Sequence, residues 1–349
     1  MNRLVHWYQR LGSVAQFGNR VSDGRLSLRS LVAIATLIVL GSANRHCWAQ
    51  SPPIRPPVVA LEFSPSGKEL LCCSQVGVQI YSWPELKLLR TIESKFPNLH
   101  DLQFSPSGNR LAVAGGAPAE SGGIELFSWP EGNSIGLIEA HEDVAMQLCW
   151  VNEKSLVSAS LDHGIAEIDT DSCGIRRRLE GHSRGVATLC YLPQKDLLVS
   201  SGLDQSIRVW NWADGKVLRS LTNHKQPVRK LALRPGAATL PMVASASADK
   251  TLRLWQPSIG RLVRFARLPA KPLDICWNKA GTRIFAACED GVVYSIDPDT
   301  VEILQQESQR SFSEWAYSLT LHPGGSLAVG GRDGKVTRRQ FSSQQEKPL

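Results

Sequence analysis

A repeat of about 41 to 46 residues runs through most of this 349-residue chain. Each unit contains a short apolar stretch, typical of a β-strand, that closes on a bulky residue called here the anchor. Successive anchors are separated by 41, 46, 41, 42, 44 and 44 residues. Units of this length with several short strands indicate blades of a β-propeller, so seven anchors predict seven blades. The anchors are Phe63, Phe104, Trp150, Tyr191, Leu233, Trp277 and Leu321.

Turn and strand patterns inside the units support this interpretation. Phe63 and Phe104 open the identical string Phe-Ser-Pro-Ser-Gly, whose Pro and Gly indicate a tight turn. A turn containing Asp follows the second strand in five units, and alternation along residues 252–255 predicts a half-buried third strand. We therefore predict an all-β protein with seven blades of four antiparallel strands. The turn residues are Asp162, Asp204, Asp249, Asp290 and Asp333.

These residues resemble the WD-repeat (WD40) family over residues 54 to 349. Gly181-His182 matches the Gly-His pair of that family, and residues 245–249 and 252–255 match its second and third strands. The sequence departs from the family where a Trp-Asp pair normally ends the third strand, because that pair is nowhere intact. The His is also missing from units one, two, six and seven. The resemblance implies the seven-bladed fold and a role in binding proteins or peptides.

In the family, His, Ser, Asp and Trp of one blade form a hydrogen-bonded chain. The resemblance implies two complete sets and a third without Trp. A Ser-His-Asp group also resembles a nucleophilic triad, but its recurrence favours a structural role, since an active site normally occurs once. The string Gly-x-Ser-x-Gly at 132–136 lacks the following helix that a nucleophile elbow requires. The sets are His182, Ser200, Asp204 and Trp210; His224, Ser245, Asp249 and Trp255; and His141, Ser158 and Asp162.

Residues 1–49 have the layout of a secretory signal or an N-terminal anchor. Arginines precede an apolar run at Leu31–Leu40, and small residues follow it. We favour cleavage after Ala49, which predicts an exported protein in the periplasm, at the surface or secreted. An uncleaved membrane anchor through residues 31–43 and an organelle transit peptide remain alternatives.

The Pro-rich residues 50–56 lead into the propeller, which we place at 57–349. Because the last unit ends soon after its third strand, its fourth strand is expected around Ile54-Arg55, close to the start of the repeats. Such a strand would join both ends of the repeat region in one blade and close the ring.

Charge and cysteine content limit the classes of function. The formal charge of the chain is +7, but residues 1–49 carry six Arg and one Asp, or +5, which leaves +2 for the rest. This distribution argues against a nucleic-acid partner. The eight Cys contain no Cys-x-x-Cys pair, and Cys149, Cys190 and Cys276 fill one repeated strand position, as small buried residues do. We expect no metal and no cofactor.

The most economical function is a non-catalytic scaffold that presents one face to a protein or peptide partner. Residues six before each anchor are expected to face that surface, next to charged neighbours. An alternative is a lactonase-like or hydrolase-like enzyme acting in the central channel. Trp315 fits either an interface anchor or a cap on the core of a degenerate blade. A Gly-rich insertion at 115–123 is expected to enlarge a loop. The face residues are Asn98, Val144, Gly185, Pro227, Lys271 and Trp315, with Asp143, Arg184 and Glu314 beside them.

Overall fold

The computed structural model describes residues 55–236, 238–306 and 315–341. They form seven antiparallel sheets arranged as a ring, which confirms the predicted seven-bladed propeller. The single helical element among these residues is a 3-10 turn at Pro257–Ile259. The leader at 1–49 and Glu314 lie outside the described residues. None of the described segments forms a helix with the length and apolar character needed to cross a bilayer.

Each blade is a meander of consecutive strands, with the first strand nearest the ring axis. Blades one to three contain β1 Ala60–Phe63, β2 Glu69–Ser74, β3 Gly77–Ser82, β4 Leu88–Ile92, β5 Asn98–Phe104, β6 Arg110–Ala117, β7 Ser121–Ser128, β8 Ser134–His141, β9 Ala145–Asn152, β10 Ser155–Ser160, β11 Ile165–Asp169 and β12 Gly174–Leu179.

The remaining blades continue the same order. Blades four to seven contain β13 Val186–Leu192, β14 Leu197–Gly202, β15 Ile207–Asn211, β16 Val217–Leu221, β17 Val228–Leu233, β18 Val243–Ser247, β19 Thr251–Gln256, β20 Arg261–Arg267, β21 Pro272–Trp277, β22 Ile284–Cys288, β23 Val293–Ile296, β24 Ile303–Gln306, β25 Ala316–Leu321, β26 Leu327–Gly331 and β27 Val336–Arg339.

Burial falls from the second strand of a blade to its fourth, and this gradient explains the sequence pattern. All six residues of β14 are buried, whereas four of the five residues of β16 are exposed and only Leu221 is buried. A second strand packs against the neighbouring blades on both faces, so it reads as a continuous apolar and small-residue run. An outer strand keeps one buried end and otherwise meets water. The hydrophobic cores therefore lie between adjacent sheets. For example, Leu192 of blade four and Trp255 of blade five belong to the same buried cluster.

Arginine and tryptophan side chains join neighbouring blades at the turns after the third strands. The Arg90 guanidinium lies 5.2 Å from the ring centre of Trp129, and that of Arg177 lies 4.3 Å from Trp212. Arg90 also donates to the backbone carbonyls of Glu131 and Pro130, in the next blade. Arg90 therefore makes a cation–π interaction with the Trp129 ring and hydrogen bonds to the carbonyls of the adjoining turn. Such contacts give some of the tryptophans a structural role.

Blade seven closes the ring against blade one. The backbone N–H of Val58 donates to the Gly331 carbonyl at 3.2 Å, and the Ser318 hydroxyl donates to the Val58 carbonyl at 2.9 Å. His322 packs edge-on against Phe63 on the other side of the same junction. Blade seven has three strands among the described residues. Ile54 lies outside them and Arg55 is in no strand, so the predicted fourth strand stays a prediction.

The Gly-rich insertion lengthens two strands, so the expectation of an enlarged loop was wrong. β6 and β7 pair in register up to Ala117 and Ser121, with only a short turn between them. A Cβ on Gly122 would lie 2.0 Å from the Asp143 carbonyl oxygen. The glycines therefore allow this extended hairpin to pass directly against the loop that enters blade three.

Candidate functional site

The three predicted polar sets each come together within one blade. In blade four, Asp204 Oδ2 lies 2.9 Å from His182 Nδ1, and Ser200 Oγ lies 2.8 Å from His182 Nε2. Trp210 Nε1 then donates to Ser200 Oγ at 2.8 Å. Blade five repeats the chain with His224, Ser245, Asp249 and Trp255 at nearly the same distances. Blade three keeps His141, Ser158 and Asp162 without an indole, because Ile168 occupies that place.

Hydrogen bonding and burial determine the charge state of these sets. Burial acts to raise the pKa of Asp162, but bonds from His141 and from two backbone N–H groups hold that pKa at about 2. The pKa of Asp204 is also well below its usual range, for the same reason, with Ser206 as an added donor. Burial lowers the pKa of His224 despite the nearby Asp249 carboxylate. In blade five these contacts favour an ionised Asp249 beside a neutral His224.

Burial also prevents these sets from acting as nucleophilic triads. The hydroxyl-bearing residues Ser158, Ser200 and Ser245 are completely buried. The His side chains beside them have no exposed surface. In two blades an indole also covers the hydroxyl. A substrate carbonyl cannot approach these oxygens without opening the blade, so we assign the sets to holding each loop onto its own sheet.

Removing the Asp204 carboxylate should destabilise the protein. Asp204→Ala would leave the buried His182 Nδ1 and the Ser183 N–H without an acceptor, and we expect a loss of roughly 1–3 kcal/mol in the free energy of unfolding. Asp333→Ala is the matched control, because Asp333 opens the corresponding turn of blade seven and accepts from the Lys335 backbone without any His. Chemical denaturation measures both. Equal losses for the two variants would contradict the role assigned to the His-Asp pair.

We call the surface formed by the loops entering the first strands, together with the turns after the second strands, the upper face. Arg184 is exposed there, whereas Asn98, Pro227 and Lys271 are half-buried. Lys271 Nζ lies 3.1 Å from Glu289 Oε2. Two of the predicted face residues do not reach the surface: Val144 and Gly185 are buried, because their loops pack directly on the turn that follows the second strand of the same blade.

Asp143 and Asn98 organise the upper face at the extended hairpin of blade two. Asp143 Oδ1 accepts from the backbone N–H groups of Ala119 and Val144, at 2.9 and 2.7 Å. Asn98 Nδ2 donates to the Gly116 carbonyl, and its Oδ1 accepts from Gln75 of blade one. These polar residues therefore link blades one, two and three, and their remaining exposed surface is limited.

Trp315 lies half-buried on the upper face, directly before β25. Its ring is nearly parallel to that of Tyr317, with 6.4 Å between centres, and the exposed Arg332 guanidinium lies 4.6 Å above it. Tyr317 in turn lines the central cavity. The two rings and the guanidinium therefore form a patch, called here the aromatic patch, that runs from the outer surface to the mouth of the channel.

The central cavity, of about 250 Å³, contains a charged group that the sequence analysis did not identify. Glu62, Asp101, Lys230 and Asp274 all face it, and Lys230 Nζ lies 3.8 Å from Asp274 Oδ1. One feature of the sequence could have indicated this charged group. A charged residue interrupts an otherwise apolar first strand three residues before the anchor, at Asp101, Lys230 and Asp274.

In blades two, three, four and six, the residue three before the anchor accepts a hydrogen bond from the next blade. Asp101 accepts from the Leu148 N–H at 2.9 Å, and Gln147 accepts from Leu189 at 3.0 Å. In the same way, Thr188 Oγ1 accepts from the Leu231 N–H and Asp274 Oδ2 accepts from the Leu319 N–H, both at 2.8 Å. The cavity carboxylates Asp101 and Asp274 are therefore part of a repeated inter-blade hydrogen bond. No group of three or more potential metal-ligating side chains occurs among the described residues.

Burial and mutual repulsion shift the pKa values of two cavity carboxyls, Glu62 and Asp101, upward. Burial raises the pKa of Asp101 to about 6, partly offset by Lys230. Burial and the Asp101 charge raise the pKa of Glu62 to about 8. Burial alone would lower the pKa of Lys230, but Asp274, Asp101 and Glu62 raise it. Lys230 thus stays charged and compensates the carboxylates around it.

Glu62→Gln should stabilise the protein at high pH. A carboxyl whose pKa is raised on folding contributes stability below its unfolded pKa, and that contribution is lost as pH rises through about 8. We expect the variant to match the wild type at pH 5 and to exceed it by about 1 kcal/mol at pH 9, a figure discounted for partial exposure. Urea unfolding at both pH values measures this, with the exposed Glu131→Gln as control. A pH-independent difference would contradict the raised pKa.

Comparison with known proteins identifies the repeats. The family model described as WD domain, G-beta repeat matches residues 174–211 and 215–256. These two segments contain the two complete His-Ser-Asp-Trp sets. The chain is thus a seven-bladed propeller that contains WD40 repeats.

Proteins similar to this chain include WD-repeat proteins of several eukaryotes. It is 23% identical over 65% of its length to Periodic tryptophan protein 2 homolog of Dictyostelium discoideum. It is 27% identical over 46% of its length to Eukaryotic translation initiation factor 3 subunit I of Neurospora crassa, and 27% identical over 48% to WD repeat-containing protein VIP3 of Arabidopsis thaliana. The matched parts cover 25%, 49% and 57% of those proteins.

Proposed function

We propose that this chain is a non-catalytic scaffold that holds a protein partner on its upper face. The observation that carries the proposal is the aromatic patch at Trp315, on a rigid ring whose loops meet on one surface. Tryptophan and arginine are the residues that most often dominate the energy of a protein interface. A half-buried indole held between Tyr317 and Arg332 needs little further ordering when a partner covers it.

The relatives are consistent with a scaffold. The name of one describes a subunit of a translation initiation factor, and the names of others describe WD-repeat proteins. Those names describe the relatives. What they contribute here is that one similar protein is named as a subunit of a larger factor.

A propeller enzyme acting in the central channel is the alternative function. The observation that favours it is the group of Glu62, Asp101, Asp274 and Lys230 around one cavity. Against it, Asp101 and Asp274 each accept a backbone N–H from the next blade, so their oxygens are engaged in holding the ring. A screen of lactone and ester substrates tests the enzyme. Turnover that disappears in Glu62→Gln would favour it over the scaffold.

We further propose that the scaffold works in an exported compartment. The support is the arginine-flanked apolar run at Leu31–Leu40 followed by small residues. Intact mass and N-terminal sequencing of the protein from its native cells should show a chain that begins near Gln50. A full-length chain in the membrane fraction would favour the anchor, and a full-length chain in the cytosol would contradict export.

Affinity capture with wild-type and Trp315→Ala chains tests the scaffold. We expect a protein that is retained by the wild type and lost from the variant. Retention of the same proteins by both chains would remove the upper face as the binding surface.

A further inference from the structure

The upper face is electrically divided, because equivalent positions carry acids in the first blades and bases in blade five. The first position directly follows a buried residue of the fourth strand that pairs with a buried residue of the third strand, namely Ile92, Ile138, Leu179 and Ala266. It is Glu93, Glu139 and Glu180 in blades one to three, and Arg267 in blade five. All four side chains are exposed.

One further position changes sign in the same way, and a second carries a base in blade five that has no acid as its counterpart. The residue after the structural His donates its backbone N–H to the turn Asp, and it is Glu142 in blade three but Lys225 in blade five. The positive-φ residue of the Asp turn is His163 in blade three, with φ 75°, and Lys250 in blade five, with φ 63°. Because these backbone positions are equivalent, the difference lies in the side chains and not in the fold.

The bases of blade five form one surface, called here the basic patch, made of Lys225, Arg229, Lys250 and Arg267. All four side chains are exposed, and Arg229 stands at the mouth of the central cavity. No ion pair among the described residues engages any of the four. Lys250 Nζ donates to the Pro269 carbonyl, which draws the turn of blade five toward the loop that leads to blade six.

We propose that an acidic segment of the protein partner binds across the basic patch of blade five. This inference rests on the scaffold function and adds where the partner lies and what charge it carries. The unpaired cations of blade five attract a short anionic segment, and the acids of blades one to three repel it. The charges therefore favour one placement of the segment on the upper face, over blade five and away from blades one to three.

A protein segment fits this surface better than a nucleic acid does. Four exposed bases cluster in blade five, and Arg184 and Arg332 lie singly in blades four and seven. A nucleic acid that followed the face would meet Glu139 and Glu142 within a few blades. The chain after residue 49 carries a formal charge of only +2. A short acidic run of side chains matches the extent of the patch.

Fluorescence anisotropy with a fluorescein-labelled peptide of ten glutamates tests the proposal on the full chain. We compare the wild type with the triple variant Lys225→Glu, Lys250→Glu, Arg267→Glu, and with the control Lys195→Glu, Lys216→Glu on the opposite face. We expect the triple variant to bind at least about tenfold more weakly and the control to change less than about twofold. Binding of the wild type should also weaken as salt is raised from about 50 to 300 mM.

Several results would overturn the proposal. One is that a ten-glutamine peptide binds the wild type as tightly as the ten-glutamate peptide does. Another is that the control variant loses as much affinity as the triple variant. A third is that a ten-nucleotide RNA binds the wild type more tightly than the ten-glutamate peptide. A triple Gln variant at the same positions repeats the test if the charge-reversed chain unfolds. The captured partner separates this inference from the scaffold function: a partner retained by the charge-reversed chain but lost from Trp315→Ala refutes the basic patch and leaves the scaffold standing.

Discussion

Replacing Trp210 with alanine is expected to lower the free energy of unfolding by about 3–5 kcal/mol. The side chain is 1% exposed and packs between blades three and four with Leu179 and Val157. Its removal leaves a cavity at the junction of two sheets and takes away the donor to Ser200 Oγ. Equilibrium denaturation measures the change.

Trp210→Phe separates the two contributions. Phenylalanine keeps most of the apolar volume but removes the N–H, so we expect a loss of about 1 kcal/mol. Blade three supports this expectation, since His141 and Ser158 keep their 2.7 Å contact without an indole. A loss below about 1 kcal/mol for Trp210→Ala would show that the inter-blade core does not depend on this ring.

Trp315→Ala is expected to weaken partner binding by about 2 kcal/mol, or roughly thirtyfold, while stability falls by only about 1 kcal/mol. The indole is only half-buried, so its truncation leaves little cavity. The stability loss comes from the lost stacking on Tyr317 and the lost contact with Arg332. Titration of the captured partner and thermal unfolding measure the two effects.

Leu218→Ala is the control for Trp315→Ala, because Leu218 is 47% exposed on an outer strand away from the upper face. It should leave partner binding unchanged. A fall of several kcal/mol in the stability of Trp315→Ala with unchanged binding would show that the ring caps the core of blade seven, the other interpretation of the sequence.

The periodicity of the sequence was sufficient to predict the ring. Anchors such as Phe63 and Trp277 end first strands, and the alternation at Leu252–Trp255 marks a third strand, because each pattern reports burial along a single short element. The Asp turns could be placed in the same way. These features depend on contacts within one blade, where sequence spacing determines which side chains meet.

Features made by several blades together were not predicted. Glu62, Lys230 and Asp274 lie in three different blades and meet only because the first strands of those blades surround one central cavity. The burial of Val144 and Gly185 was also not predicted, because it depends on how a loop packs on a turn of its own blade about 17 residues further along the chain. The division of the upper face required knowing which residues are equivalent, and hydrogen bonds such as that from the Lys225 backbone to Asp249 supply that equivalence.

Site-specific photocrosslinking in blade four tests the scaffold most directly. Arg184 and Lys195 are both exposed but lie on opposite faces, in the loop before β13 and in the turn after it. With a photoreactive residue at each position in turn, we predict a protein that crosslinks through position 184 and not through position 195. This crosslink should be lost when Trp315→Ala is added. A crosslink at position 195 alone, or equal crosslinking at both positions, would contradict a partner held on the upper face.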